Sequence, residues 1–355
     1  MPQKIAILGT GPSALYAALL LSVKGHSVTV YDPKTAWEKP RGGAIAGPVL
    51  AEMPLFEGYS KLVALEGLKL LSPKNREIRV PFDVPLPIAL RDDVTEFLEG
   101  RARQSGVAIH PLKLEGFAAS GDGWTLKLKG GEEQADFLVA ADGAAGFARK
   151  HLGLNGHSTE MTMEVGFDLG ATFETGHIGV IKFLPEMRGC FWAMPNGKGS
   201  TIRLWSTGRQ LQARNLLERL DNIVQRLLDA PLPTDLPRTV AQIPVIKDLS
   251  KPNLMGPRWV AIGDAGGFIH PLSKDGLYFG LKSAAVLALS LSNGSFDDRA
   301  FWKRLKDQVL KPLKKRASRQ RWWGNHFVVD WILRRTKVSE KSRRFLSELV
   351  GAKPI

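Results

Sequence analysis

With 355 residues, 44% hydrophobic and 24% charged, the chain is long enough for one large or two intertwined globular domains, and its composition excludes a disordered or collagen-like protein. A single cysteine excludes an internal disulfide framework and a cysteine-rich zinc site; no metal centre is expected, and the thiol suits a reducing compartment, taken as the cytoplasm. The net charge of +14 is lopsided: residues 299–355 hold 17 Lys/Arg against 4 Asp/Glu, whereas residues 1–298 hold 32 against 31.

The first residues, KIAIL at 4–8, predict a buried parallel strand, with no signal peptide before it. Residues 13–24 predict a helix stopped by Gly25, and 28–31 a second strand, which is βαβ spacing. The turn between them reads Gly9-Thr10-Gly11-Pro12-Ser13-Ala14. Glycine is needed where that turn is tight and where backbone must approach a pyrophosphate, and small Ala14 lets helix and strand pack closely. The helix start then turns N–H groups and its dipole toward the phosphates. An acid at the end of the second strand, Asp32, has the spacing expected of a ribose ligand. The turn alone does not separate FAD from NAD.

Residues 33–87 read as irregular and rich in Pro and Gly, and 91–104 as a helix. Trp124, Leu126 and Leu128 alternate with polar residues, Gly130-Gly131 marks a turn, and 137–141 predict a buried strand. Alternating stretches over 163–205 predict an antiparallel sheet. Leu216, Leu217, Leu220, Ile223, Val224, Leu227 and Leu228 recur at helical spacing. A Pro-rich segment, 231–257, precedes a strand at 259–262 and a helix at 276–291; beyond Asp298 the chain reads as a basic helical tail. No apolar run reaches the roughly 18 residues of a membrane span.

Residues 260–281, VAIGDAGGFIHPLSKDGLYFGL, resemble the GD motif of the FAD-dependent hydroxylase and reductase superfamily, and 137–149, FLVAADGAAGFAR, its DG motif. Arg91 and its helix resemble the segment whose arginine lies near FAD in those enzymes. The resemblance implies FAD as cofactor. It implies that Asp264, after Gly263, hydrogen-bonds the ribityl chain, and that Gly276 and Leu277 place backbone N–H groups near the flavin's pyrimidine edge, with Pro271 in the same loop. That edge becomes negative on reduction, so a helix N-terminus there has a purpose. Asp142 is the corresponding DG acid.

Within the superfamily the chain is most similar to geranylgeranyl reductases. Their GD region runs GDAAG, Pro, GEG; here it is Gly263-Asp264-Ala265-Gly266-Gly267, Pro271, and Lys274-Asp275-Gly276, with Lys274 where a glycine is usual. A cysteine precedes a glycine pair in archaeal-type members; here Arg41 precedes Gly42-Gly43. Cys190-Phe191-Trp192-Ala193-Met194-Pro195 resembles the family's aromatic substrate motif, and strand alternation sends Phe191 and Trp192 to opposite faces, one of them lining an apolar channel. Phe191, Trp192, Met194 and Pro195 are thus the candidate substrate residues. The same hexapeptide echoes the WxWxIP motif of flavin-dependent halogenases, whose halogen-carrying lysine would be Lys74 here.

The implied reaction is reduction of C=C bonds in a hydrophobic, isoprenoid-like or lipid substrate by hydride from reduced flavin. The alternatives are a flavin monooxygenase acting on an apolar or aromatic molecule and a flavoprotein electron carrier. No acid or base is named by the sequence beyond His270, beside Pro271, and Cys190. With no second glycine-rich nucleotide motif, electrons are expected from an external donor: NAD(P)H, ferredoxin or a separate reductase. The expected architecture is α/β: a Rossmann-like FAD-binding domain from 1–50, 88–155 and 250–297, an antiparallel-sheet substrate domain from 51–87 and 156–249, and a basic helical region at 298–355. In that last region Lys/Arg flank Trp302, Trp322, Trp323 and Trp331, which suits peripheral binding to an anionic membrane. Nucleic acid ranks below the membrane as partner, and a solvated cap on the FAD domain is the plain alternative. Removing 299–355 is expected to abolish liposome binding.

Overall fold

KIAIL, SVTVY and FLVA are short, apolar and β-branched, the composition of strands covered on both faces. In the computed structural model they lie side by side. The structure describes residues 2–32, 44–143, 146–154, 159–170, 177–207, 212–229, 231–246, 253–271, 273–292 and 295–315.

The chain begins β1 (Lys4–Leu8), α1 (Pro12–Val23), β2 (Ser27–Tyr31). Pro12 opens α1 at a position where its missing N–H costs nothing, and Gly25 at φ +86 turns the chain after it. There follow β3 (Ala44–Ala46), α2 (Gly47–Ala51), β4 (Val63–Leu71), β5 (Glu77–Leu90), α3 (Arg91–Gln104), β6 (Ala108–His110), β7 (Leu114–Ser120), β8 (Gly123–Leu128), β9 (Gly131–Ala135), β10 (Phe137–Ala140) and α4 (Phe147–His151). The second half supplies β11 (Thr159–Leu169), β12 (Ile178–Leu184), β13 (Gly189–Pro195), β14 (Ser200–Thr207), α5 (Ala213–Leu228), β15 (Thr239–Ile246), β16 (Met255–Gly256), β17 (Trp259–Ala261), α6 (Leu277–Ser290) and α7 (Asp298–Leu305).

Two large sheets result. One has the order β16-β17-β10-β1-β2-β6, parallel from β17 to β6 with β16 antiparallel at its edge. Alternation divides its residues between two cores. Ile5, Ile7, Val139 and Val260 face α1, α3 and α6. Ala6, Leu8, Leu138 and Trp259 face the three-stranded sheet β7-β8-β9. The other sheet has the order β15-β11-β14-β13-β12-β4-β5-β3. Its α5 face buries Val165, Phe167, Phe191 and Leu204 beneath Leu216, Leu220 and Val224 of α5. Its opposite face carries Leu65, Leu68, Ile181, Phe183, Cys190 and Met194.

Three stretches differ from the sequence expectation. Residues 63–71 and 77–90 are a long hairpin, not irregular chain, despite Pro81, Pro85 and Pro87 in β5. Proline is tolerated because β5 meets β3 only over Ile88–Leu90, leaving most of that edge without a ladder to lose. The second sheet therefore begins at β3, before residue 51. Beyond α6, α7 opens on Asp297, whose Oδ1 accepts from Ala300 N (2.9 Å), and runs on through a π-helical turn, Lys306–Leu310. Phe301, Leu305, Val309, Leu310 and Leu313 pack into the same core as α1 and α6, so 298–315 belong to the first unit. The remaining basic segment, 316–355, lies outside the described residues. Among the described residues no helix is long and apolar enough to cross a membrane.

Candidate functional site

The β1–α1 turn is built by close approach. Gly9 has φ +105, and a Cβ there would lie 2.5 Å from the Ala141 carbonyl oxygen. Only glycine lets β1 and the end of β10 converge this way. Gly11 is the N-cap of α1; no side chain caps the helix, and a Cβ on Gly11 would meet nothing within 4 Å. The start of α1 thus has open room beside Gly11, at the positive end of the helix dipole. Ala14 is fully buried. Asp32 ends β2, and its Oδ2 accepts from Thr10 N (2.7 Å) and Thr10 Oγ1 (2.5 Å), which holds the carboxylate at the mouth of the turn.

The DG segment follows β10. Asp142 Oδ2 accepts from Ala148 N (2.7 Å) at the start of α4, and a Cβ on Gly146 would overlap that carboxylate. Burial pushes the Asp142 carboxyl up to about 6. One turn on, buried Arg149 donates from Nη1 to Ala265 O (2.8 Å), inside the GD loop. This bond joins two motifs that are 116 residues apart in the chain.

The GD loop is itself tightly folded. Gly263 (φ +60) donates to Ser283 Oγ (3.0 Å) on α6, and Phe268 N donates to Gly263 O (3.1 Å). Ser13 of α1 is wedged against both sides of the motif: a Cβ on Gly263 would come within 2.7 Å of its Oγ, and one on Gly280 would overlap it. Asp264 lies against the Cα of Gly276, the N-cap of α6, and Asp275 Oδ1 accepts from Leu277 N (2.9 Å). Pro271 and Leu277 are buried in the loop and the helix start. His270 closes the turn: its N donates to Asp275 O (2.8 Å), its O accepts from Lys274 N (3.0 Å), and its Nδ1 accepts from Ser273 N (3.1 Å). That bonding gives His270 a structural task.

The loop meets the second sheet through Lys274, which is 3% exposed with φ +58 and places Nζ 4.9 Å from the ring centroid of Trp205. Trp205 shares its face with Cys190, Trp192 and Met194, so this is the inner face, toward the GD loop. Met194 packs directly on Gly179, where a Cβ would come within 2.5 Å of its Sδ. Pro195 is buried where β13 pairs with Ser200.

Several candidates stand elsewhere than expected. Phe191 is fully buried on the α5 face, so β13 offers Trp192, not Phe191, to the inner face. The Cys190 thiol is driven far up by burial and donates to Phe191 O (3.3 Å), which removes it as an acid or nucleophile. Lys74 is exposed in the β4–β5 turn, where its N donates to Ser72 Oγ (3.2 Å). Arg91 is the first residue of α3, half-buried. Arg41, Gly42 and Gly43 lie outside the described residues.

Sequence reasoning missed Arg149, although it closes the DG motif, because nothing local names its partner. It also missed Arg203, 1% exposed on the inner face with Nε 3.4 Å from Glu164 Oε1. A Cβ on Gly166 would come within 2.6 Å of its Cδ, so glycine makes its bed. The signal was an arginine between Ile202 and Leu204 in a strand whose alternation points it inward.

No protein-family model matches the chain. Among solved structures, a geranylgeranyl bacteriochlorophyll reductase-like protein from Thermoplasma acidophilum superposes with a TM-score of 0.78 at 15% identity, over 98% of this chain and 96% of that one. The chain shares the fold of that protein and of other flavoproteins. These include a variant of HpxO from Klebsiella pneumoniae complexed with FAD (TM-score 0.72, 17% identity, 98% of each chain). The flavin-dependent brominase Bmp2 also matches (TM-score 0.69, 15% identity, 99% of this chain and 94% of that one). Two curated relatives are each 23% identical. One is an uncharacterized protein of Methanosarcina barkeri, matched over 87% of this chain and 81% of that protein. The other is a tryptophan 2-halogenase of Chondromyces crocatus, of which this chain spans 61%. FAD, present in the HpxO complex, fits the residues of this chain: an uncapped helix start with open space beside Gly11, an acid at the end of β2, and a second helix N-terminus beside Asp264.

Proposed function

We propose that this protein is an FAD-dependent oxidoreductase that reduces C=C bonds in a hydrophobic, isoprenoid-like substrate. The observation carrying the reading is the inner face of the second sheet, where Leu68, Phe183, Met194, Trp192 and Trp205 form an apolar cluster around the buried Arg203–Glu164 pair and meet the GD loop at Lys274. Such a surface positions an alkene and excludes water, which is what a hydride acceptor without polar groups requires.

When bound, FAD supplies the hydride. The rest of the work belongs to this chain. The open N-terminus of α1, with Gly9 and Gly11, receives the pyrophosphate, and Asp32 exchanges Thr10 for a ribose hydroxyl. Asp264 holds the ribityl chain, and the Gly276–Leu277 start of α6 faces the pyrimidine edge, where its dipole favours added negative charge. Asp142 and Arg149 fix the GD loop. An external donor supplies electrons. Residues 316–355, with 10 Lys/Arg against 3 Asp/Glu and Trp322, Trp323 and Trp331, bring the enzyme to the anionic membrane in which such substrates dissolve.

The halogenase reading loses support from the structure, since Lys74 is exposed and Cys190 stands at the first aromatic position of the motif. The test is anaerobic. The FAD-loaded protein is reduced with dithionite and given a geranylgeranyl lipid without oxygen. Flavin reoxidation with a product heavier by one H2 per bond is the expected result. A flavin that stays reduced until air enters, then gives an oxygenated or halogenated product, overturns the reductase reading in favour of a monooxygenase or halogenase. Reoxidation by a quinone with no altered substrate favours an electron carrier.

A further inference from the structure

Arg203 and Trp205 stand two residues apart on β14, so both side chains leave its inner face. Arg203 is 1% exposed and Trp205 4%. Among the described residues, Nε and Nη2 of Arg203 and Nε1 of Trp205 are buried with no hydrogen-bond partner. The guanidinium is nonetheless held in place. Its Nη1 donates to Ile202 O (3.2 Å), its Nε stands 3.4 Å from Glu164 Oε1, and the side chain lies across Gly166, where a Cβ would overlap it. Burying a donor without an acceptor forfeits its hydration, and buried indole and guanidinium N–H groups are paired as a rule. An apolar residue at either position would avoid that cost.

Arginine and tryptophan side chains are donors only, so what these atoms lack is an acceptor. Glu164 sets the charge that acceptor can carry. It already balances Arg203, and a carboxylate or phosphate brought to Nη2 would stand beside a second buried anion. A neutral carbonyl oxygen brings two lone pairs and no charge. The accessible side is next to Arg203 along the sheet. Trp192, its cross-strand partner, is half-buried, and Asp168, which accepts from Thr201 Oγ1 (2.7 Å), is exposed.

We infer that Arg203 and Trp205 bind the carbonyl oxygen of an otherwise apolar substrate, an isoprenoid ketone by chemical class. Arg203 Nη2 donates a charge-assisted bond, and Trp205 Nε1 donates from the next inward position of the strand. The apolar cluster takes the hydrocarbon part, and the two donors fix which end of the molecule lies on β14. The inference rests on the reading of the inner face as the substrate surface and gives that substrate a polar end. It concerns binding alone: neither residue makes or breaks a bond to carbon.

The test uses full-length, FAD-loaded protein and related probes: farnesylacetone labelled with 13C at its carbonyl, the hydrocarbon with CH2 in place of that carbonyl, and ionised farnesylacetic acid. Binding is measured by equilibrium dialysis, and the bound carbonyl stretch by isotope-edited infrared spectroscopy. Wild type is expected to bind the ketone at least about tenfold tighter than the hydrocarbon, as a hydrogen bond from a charged donor requires. The ketone is also expected to bind tighter than the carboxylate, with its carbonyl stretch below the value in hexane. Trp205→Phe keeps the ring and removes only the Nε1 donor. Arg203→Met combined with Glu164→Gln removes the ion pair whole, leaving no lone buried charge. Each variant is expected to lower the preference for ketone over hydrocarbon at least about threefold and to return the stretch toward its hexane value. Equal binding of ketone and hydrocarbon to wild type overturns the proposal, as does an unshifted stretch, a carboxylate that binds tighter than the ketone, or a preference unchanged in a folded variant. The wild-type comparisons decide the matter even where a variant fails to fold. A wild-type protein that binds neither ketone nor hydrocarbon overturns the substrate-surface reading itself, so the two failures are distinct.

Discussion

Asp142→Asn separates the electrostatics of the DG segment from its geometry. The carboxyl titrates near 6 in the folded chain against 3.8 without burial, a shift of about two units. At about 1.4 kcal/mol per unit, the ionised form costs the fold on the order of 3 kcal/mol. A folded value above the unfolded one means that the native state holds its proton more tightly. The stabilisation is fully present below about pH 4 and is lost as pH rises through about 6. Asparagine is neutral throughout and keeps an oxygen to accept from Ala148 N. The variant should therefore gain stability over wild type with rising pH, by about 2.5 kcal/mol between pH 4 and pH 7. Urea unfolding of FAD-free protein at half-unit pH steps measures the difference, and groups common to both proteins cancel. A difference that is flat across that window, or that shrinks as pH rises, refutes the burial argument.

Three further outcomes follow from the same geometry. Gly280→Ala drives a methyl into Ser13 Oγ and should cost about 1–3 kcal/mol; adding Ser13→Ala leaves the Ser13 Cβ 3.5 Å from the new methyl and should recover most of it, so a double-mutant cycle without coupling counts against the wedge. Arg149→Met strips the Ala265 carbonyl of its charged donor, at about 1.5–3 kcal/mol, and hydrogen exchange should quicken across residues 263–270 while β1 stays protected. Deleting 316–355, which spares the core residues Phe301 to Leu313, should abolish sedimentation with anionic liposomes, and wild-type binding should weaken with salt; binding that ignores either change removes the membrane role.

The nucleotide half of the molecule was legible because its constraints are local. KIAIL, the glycine turn, SVTVY and Asp32 lie within a few turns of one another, and each residue's task is set by its neighbours. The helices expected at 13–24 and 276–291 are α1 and α6 within one residue at each end. The hairpin β4–β5 was illegible because prolines mark loops in local statistics, whereas an edge strand tolerates them for a reason that exists only once the sheet is assembled. The choice between Phe191 and Trp192 needed to know which face α5 covers. Arg149 and Ser13 act across the chain on Ala265, Gly263 and Gly280, and no spacing rule joins such positions. The membrane-facing expectation for the whole of 299–355 failed to separate its two halves. Phe301, Leu305 and Leu313 at helical spacing were the sign that its first part is core.

The Arg149–Ala265 bond also bears on synthesis. The parallel sheet takes its first strand from residues 4–8 and its strand β17 from 259–261, and the GD loop follows later still. A growing chain can close β1, β2 and β10 early, yet the Arg149–Ala265 clamp forms only when the GD loop has left the ribosome. Until then the DG acid and its arginine have no carbonyl to hold, and strands β11 to β15 of the second sheet must already have been made between them. A nascent chain cut short before Ala265 would own the glycine turn and lack this clamp.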